Sequence, residues 1–430
     1  MHKQFDVLII GGGPAGMAAA AGAAECGVRV GLVDDNPRVG GQIWRSGGID
    51  TSSPASEWAS KLKSLRVEVI PETRVFHSPE PQKLFAEGPS EIYELLYKKL
   101  ILATGARERF LCFPGWTIPN VMGAGGLQAM VKSGLPIAGE RVVIAGTGPL
   151  LLAVAAYLRK HGALISLLCE QVSLGSMIGF ACRLARQPKK LAQALSLRKD
   201  LAGISLAFNS WVVEAHGEKT LEALTVSRDG QIQTIPCDYL ACGFHLVPNV
   251  ELAELLGCGI NNSYVEVDNL QQTTVSNVFC AGEPTGVGGL DASLLEGKIA
   301  GYSAAGRIEL AKPLLKQRDR QRQFALALDR TFSLRPELKE LAKADTIVCR
   351  CEDVTYGRLK RANSWREAKL YTRCGMGPCQ GRICGPATEF LFNWKSESTR
   401  PPISPVRFES FLAISENLAP ELSEISGGNP

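Results

Sequence analysis

The chain has 430 residues, 45% of them hydrophobic, and its 47 Lys+Arg against 43 Asp+Glu leave a formal charge of +4. Such a length is too great for one compact domain and predicts roughly two or three domains with sizeable cores. A near-balanced charge with no dense basic patch excludes nucleic acid as an expected partner.

The opening "MHKQFDVLII" runs straight into a glycine turn, without the apolar stretch and small-residue cleavage site of a secretory signal. Thirteen cysteines in such a chain point to a reducing compartment, where clustered thiols more often serve metal or redox chemistry than disulfides. The cytoplasm is the expected location, with a peripheral position at the inner face of a membrane as its variant.

The first segment, "FDVLIIGGGPAGMAAAAGAAECGVRVGLVDD", reads as a buried strand, a glycine turn, an alanine-rich helix and a second strand, Val28 to Val33, ending in acid. That is a βαβ unit. Gly11 allows the tight turn, Gly13 lets a pyrophosphate approach the backbone, and Gly16 lets helix and strand pack closely; Pro14 and Ala15 lie within the same turn. Phosphate charge then meets the helix N-terminus, and Asp34 can accept hydrogen bonds from ribose hydroxyls.

From Arg141 to Glu170 the plan repeats, so two doubly wound dinucleotide folds are expected in an α/β chain. Gly146, Gly148 and Pro149 split "RVVIAGTGPLLLAVAAYLRK" into a short strand and a helix, which excludes a membrane span there. The second turn keeps Gly146 and Gly148 but has Leu151 where the third glycine would sit, bulk expected to push helix from strand or crowd a pyrophosphate. Glu170 could still hold a ribose. NAD(P) binding, a retained scaffold and another nucleotide such as an adenine mononucleotide all stand as readings of this site.

No redox cysteine pair lies near either turn, and Cys26 and Cys112 stand alone. The histidines, His2, His77, His161, His216 and His245, are dispersed, which leaves no evident acid and base pair. Only His245, in "CGFHLVPN", has a claim to lie near a flavin, and a structural role is its simpler reading.

From Ala311 on, "AKPLLKQRDRQRQFALALDR" reads as a solvated connecting helix leading to the cysteines. Cys349-x-Cys351 and Cys379-x4-Cys384 supply four thiolates in two close pairs, enough for a 2Fe-2S cluster, whose irons each take two sulfurs. Gly375, Gly377 and Gly381 let backbone N–H groups reach cluster sulfur, while Arg350, Arg373 and Arg382 would offset its charge. Cys374 with Cys379 is an equally spaced alternative pair. A tetrahedral zinc site is the main rival, although zinc pairs usually show two-residue spacings, and plain free thiols are the third reading. The polar, proline-rich "KSESTRPPISPVRFES" reads as an extended strap or a disordered tail.

Three segments, "NPRVGGQIWR", "LILATGARER" and "NVFCAGEPTGVGGLDASLLEGKIAG", resemble in order the FAD-contacting segments of flavoproteins with two dinucleotide-binding domains. The resemblance implies FAD at the first site, with Gly41, Gln42, Thr104, Gly105, Gly282 and Glu283 added to the turn residues. In that family the third segment usually reads Gly-Asp; here it reads Gly282-Glu283. The stretch from "VCRCEDVT" through "TRCGMGPCQGRICGP" is similar to the bacterioferritin-associated-ferredoxin-like 2Fe-2S domain fused behind an FAD domain.

Together these motifs resemble the larger FAD subunits of opine oxidases, D-hydroxyproline dehydrogenases and hydrogen cyanide synthases. The resemblance implies an electron-transfer subunit working with a second, glycine- and D-amino-acid-oxidase-like flavoprotein that oxidises an amine to an imine. A quinone- or dye-type acceptor and a small ferredoxin-like subunit complete that expectation. The alternatives are a self-sufficient NAD(P)H-dependent flavin reductase that passes electrons through the cluster, and a redox-sensing binding protein.

The expected division is a split FAD domain, residues 1–120 and 244–312, around a degenerate NAD(P)-like domain, 121–243. A linker helix, 313–344, a small helical 2Fe-2S domain, 345–395, and a tail, 396–430, follow.

Overall fold

The computed structural model describes residues 1–44, 54–184, 188–395, 399–412 and 414. Its first strand, His2–Ile10, is apolar and buried through its second half, as a parallel strand covered on both faces must be. It pairs in parallel with Val30–Val33 on one side and with the long strand Ile92–Leu102 on the other. A seven-stranded sheet grows around it in the order Glu68–Ile70, Val30–Val33, His2–Ile10, Ile92–Leu102, Lys83–Glu87, Arg74–His77. "TTVSNVFCAGE" supplies the remaining strand, Val278–Cys280, beside the carboxyl end of Ile92–Leu102.

A second, wholly parallel sheet of five strands has the order Leu206–Ala207, Leu164–Glu170, Arg141–Thr147, Tyr239–Phe244, Val121–Gly123. An antiparallel three-stranded sheet, Ser210–His216, Ala223–Arg228 and Gln231–Pro236, packs beside it. The chain crosses between the two large sheets through one antiparallel pair, Ala106–Glu108 with Leu246–Pro248. Two α/β dinucleotide folds are therefore present, as the repeat predicts.

Small residues set how close the first helix lies to its neighbours. A Cβ added to Gly16 would stand 1.7 Å from the carbonyl oxygen of Gly11, so helix Pro14–Ala24 touches the glycine turn backbone to backbone. The same helix packs on Gly289–Ala304, where a Cβ on Gly297 would meet the Ala15 carbonyl at 2.1 Å.

The connecting helix, Ile308–Thr331, differs from the solvated helix expected. Arg318 is fully buried and donates to Gln271 Oε1 at 3.0 Å and to the Asn269 carbonyl at 3.3 Å. Arg322 pairs with the buried Glu296 at 2.8 Å. Charges that read as a water-facing stripe thus pin the helix to the first domain, because a buried guanidinium must find acceptors.

The cysteine-bearing segment forms a short hairpin, Ile347–Cys349 with Val354–Thr355, and the helices Tyr356–Leu359, Trp365–Thr372 and Cys384–Phe392. It shares one hydrophobic core with the second domain, in which Leu111, Phe113 and Val143 join Val348, Leu359 and Ala387. Trp116 Nε1 donates to the Ile347 carbonyl at 2.6 Å across that contact. Residues 399–412 run as a strap back over the first sheet: Ile403 N donates to Phe76 O at 3.0 Å, and Arg407 pairs with Glu87 at 2.9 Å.

Gly16→Val should cost about 3 kcal/mol or more, since the added atoms meet backbone rather than a side chain that can turn away. A fall in the denaturation midpoint, together with loss of bound flavin, would show it.

Candidate functional site

The expected cofactor-binding residues of the first domain meet at the carboxyl ends of its central strands. Gly11, at φ +108°, lies against the next strand so closely that a Cβ would meet Ala103 O at 2.2 Å. Gly13 caps helix Pro14–Ala24 in extended conformation, with Pro14 at the first helical position. Gly41, at φ +60°, approaches Gly13, where its Cβ would stand 3.0 Å from Gly13 Cα. Gly282, at φ +81°, abuts Ala15 in the same way at 2.8 Å. Asp34 is buried and accepts from Gly12 N, from Asn36 N at 2.7 Å and from Asn36 Nδ2 at 2.8 Å. Gln42 is exposed at the rim, and the end of "NPRVGGQIWR" from residue 45 onward lies outside the described residues.

Glu283 answers the Gly-Asp departure. It opens a 3₁₀ turn, Glu283–Thr285, and Oε1 accepts from Gly289 N at 3.2 Å. Oε2 is buried and has no hydrogen-bond partner among the described residues. A buried carboxylate oxygen left open is a place for a ligand hydroxyl, so the longer acid keeps an acceptor for a ribityl hydroxyl. The glycine cradle and this open acceptor fit an FAD.

At the second turn, Gly148 N donates to Glu170 Oε2 at 2.8 Å, mirroring Gly12 and Asp34. Leu151 does not push the helix away. It is fully buried because the adjoining strand carries Gly243, whose Cβ would stand 2.7 Å from Leu151 Cδ2. The missing glycine on the helix is replaced by one on the sheet, and packing density is kept.

The cysteines converge. Cys349, Cys351, Cys379 and Cys384 line one cavity of about 150 Å³, walled by Phe110, Trp116, Ile383 and Arg350. Cys374 is brought in as well: the sulfurs of Cys349, Cys374 and Cys384 lie within 4.8 Å of one another. Hydrogen bonds from the Cys374 and Cys384 thiols hold Cys349 far below the usual thiol range, and one from Cys384 lowers Cys379 to about 5. The corresponding donors, Cys374 and Cys384, are pushed up. Backbone N–H groups of Gly375 and Glu352 also point to Cys349, and those of Ile383 and Gly381 to Cys379. A small cavity edged by four thiols and served by backbone donors fits a thiolate-bound metal centre.

Of the arginines expected to offset the cage, Arg350 lines the cavity. Arg373 pairs with Glu352 at 2.7 Å on the surface. Arg382 reaches Gln380 at 3.1 Å and the Ile403 carbonyl. Gly375 and Gly381 have a second duty, because a Cβ at either would meet the Trp365 ring, at 2.6 and 3.2 Å.

A polar relay joins the two centres. Thr104 Oγ1 donates to Asn249 O at 2.6 Å, and Asn249 Nδ2 returns to Thr104 O at 2.8 Å. Arg107 donates to Asn249 Oδ1 at 2.6 Å, pairs with Glu251 at 2.8 Å and reaches Arg382 O at 3.1 Å, between Cys379 and Cys384. Beside it a cavity of about 510 Å³ is lined by Val287 and Tyr264 of the first domain, Arg109 and His245 of the crossover, and Glu389 and Phe390 of the cysteine segment. His245 faces this cavity together with Asp329, and burial lowers its pKa.

Residues 5–312 match the model of the pyridine nucleotide-disulphide oxidoreductase family. The chain belongs to that family. It is 33% identical to the HcnB chain of hydrogen cyanide synthase from Pseudomonas protegens, over 89% of this chain and 90% of that one. It is 29% identical to the A chain of opine oxidase from Rhizobium meliloti, over 100% and 91%. Its relatives are thus of the type the motifs resemble, and the chain is a flavin-dependent oxidoreductase. In structure it is similar to L-proline dehydrogenase from P. horikoshii, with a TM-score of 0.66 at 18% identity over 95% of this chain and 79% of that one. Among the described residues no helix is long and apolar enough to cross a membrane.

Three participants carry no signal in the sequence. Arg107 sits inside the quoted "ATGARER", but its partners, Asn249 and Arg382, lie far along the chain. Glu296 accepts from Gly282 N at 3.0 Å, and no local pattern marks it. Glu108, which accepts from Gly125 N at 2.7 Å and Gly126 N at 2.9 Å, reads as an ordinary surface acid.

Burial raises Glu283 from 4.5 to about 7. A carboxyl raised by folding stabilises the fold while protonated, below its ordinary pKa, and that contribution is lost as pH climbs through the folded value. Flavin-free protein should therefore lose stability between about pH 4.5 and 7, and Glu283→Gln should remove about 3 kcal/mol of that fall. Urea midpoints at the two ends of the range measure it.

Proposed function

We propose that this chain is the FAD- and 2Fe-2S-containing electron-transfer subunit of a heteromeric amine dehydrogenase. The observation that carries the reading is the Thr104–Asn249–Arg107–Arg382 relay, which ties the flavin crevice to the thiol cavity inside one packed unit. Bound there, FAD would handle electrons in pairs and the cluster would handle them singly.

The residues divide the work. Gly11, Gly13, Pro14, Ala15, Gly16, Gly41 and Gln42 admit a pyrophosphate, Asp34 holds a ribose, and Thr104, Gly105, Gly282 and Glu283 line the flavin end. Cys349, Cys351, Cys379 and Cys384 would hold the cluster, because these four edge the cavity, while Cys374 stands behind it. Backbone donors at Gly375, Gly381 and Ile383 stabilise charge on sulfur, and Phe110, Trp116 and Ile383 wall the cavity. The same division gives a flavin domain interrupted by the second nucleotide fold, with the cysteine segment from about residue 345 as a third unit.

Oxidation of a secondary amine to an imine releases two electrons and two protons. Subunits named for opine oxidase and hydrogen cyanide synthase among the relatives support an amine of opine or amino-acid type and a partner flavoprotein that oxidises it. This chain conducts the electrons onward to a quinone- or dye-type acceptor.

Protein purified anaerobically should show flavin bands over a broad absorption bleached by dithionite, with about two irons per chain. Zinc, or no metal, in the same assay would overturn the cluster. Cys379→Ser should lose the iron and Cys374→Ser should keep it. The isolated chain should turn over no amine with a dye acceptor; full-rate amine oxidation without a partner would sink the division of labour.

A further inference from the structure

In open α/β sheets a nucleotide lies outside the carboxyl ends of the strands, where the strand order reverses. In the second sheet that point falls between Arg141–Thr147 and Tyr239–Phe244. Residues 332–335, which follow helix Ile308–Thr331, lie across it. The Phe332 carbonyl accepts from Thr147 Oγ1 at 3.3 Å and from His245 Nε2 at 2.6 Å, groups at the ends of the two strands that flank the reversal. A carbonyl can only accept, so His245 carries its proton on Nε2. Gln171, directly after Glu170, donates to the Phe332 and Ser333 carbonyls at 3.5 and 3.1 Å, and its Oε1 accepts from Arg335 N at 3.1 Å.

Side chains complete the plug. Phe332 is buried against Phe180, with centroids 5.3 Å apart, and its ring stands over the glycine turn, 3.9 Å from where a Gly148 Cβ would be. Arg335 stacks its guanidinium 4.7 Å from the Trp211 ring and also bonds Asn209 and the Gln171 carbonyl. Thr147, His245 and Gln171, polar groups at this switch point, are already bonded to the chain's own backbone.

We infer that Phe332 and Arg335 are specificity-determining residues that fill the second dinucleotide crevice and exclude a nicotinamide nucleotide from it. The enzyme keeps the fold of a nicotinamide-dependent reductase while closing its nicotinamide door, and its reducing equivalents enter elsewhere. This does not depend on which amine is oxidised or on any partner. Failure here would therefore leave the amine reading standing, and failure of the amine reading would leave this one.

The test uses the full-length flavoprotein without amine or partner. Under anaerobic conditions NADH or NADPH at millimolar concentration should leave the flavin oxidised for minutes and bind too weakly for calorimetry. Bleaching within seconds would overturn the inference. Hydrogen exchange followed by mass spectrometry should show the Phe332 and Arg335 amides protected like strand Arg141–Thr147, unchanged by NADH; complete exchange within a minute would equally overturn it. Phe332→Gly combined with Arg335→Ala should raise NADH affinity at least tenfold. No gain in a variant that keeps its flavin and melting temperature would take the exclusion away from these two residues.

Discussion

The half-buried guanidinium of Arg107 is the point on which the arrangement of domains depends. It lies in the strand pair through which the chain passes from one nucleotide fold to the other, and it satisfies Asn249, Glu251 and the Arg382 carbonyl together. A charge taken out of water is costly unless paired and hydrogen-bonded, and removing one partner leaves the other stranded. Burial, with the like charge of Arg382, pulls its pKa down, and Glu251 opposes that pull. Crossover, flavin-side loop and cysteine loop are therefore held in one mutual geometry by one side chain.

Around that node the chain repeatedly replaces a missing contact with one from elsewhere in itself. Leu151 is received by Gly243. Glu283 stands where a shorter acid is usual and folds back to Gly289. The cysteine segment has too little apolar material for a core of its own and borrows the second domain's, through Trp116 and Phe113. Each case conserves volume or a hydrogen bond, the two quantities a protein interior tolerates losing least.

Local physics made much of this readable from residues alone. Gly11, Gly13, Gly16 and Asp34 announce themselves because a strand, a tight turn and a helix must succeed one another within a few residues, and the cysteines because their spacing is short. The buried Arg318, the Leu151–Gly243 exchange and the segment at Phe332 were not readable. Each depends on a neighbour far along the chain or on a strand order that no short pattern encodes. Arg318 is the sharpest case, since a run of Lys, Arg, Asp and Gln at helical spacing reads as a wet face until the acceptors at Asn269 and Gln271 are known.

The split of the first sheet also orders the chain's birth. All five strands of the second sheet lie between Val121 and Phe244, while the first sheet lacks Val278–Cys280 until later residues exist. A ribosome adding about 5–20 residues per second delivers a complete second sheet some seconds before a complete first one. The cysteine pocket follows both, and the strap at residues 399–412, which fastens Arg382 to the edge of the first sheet, is made after it. Synthesis thus runs from an unfinished first sheet to a finished scaffold, and the cysteine pocket is added to strands already made.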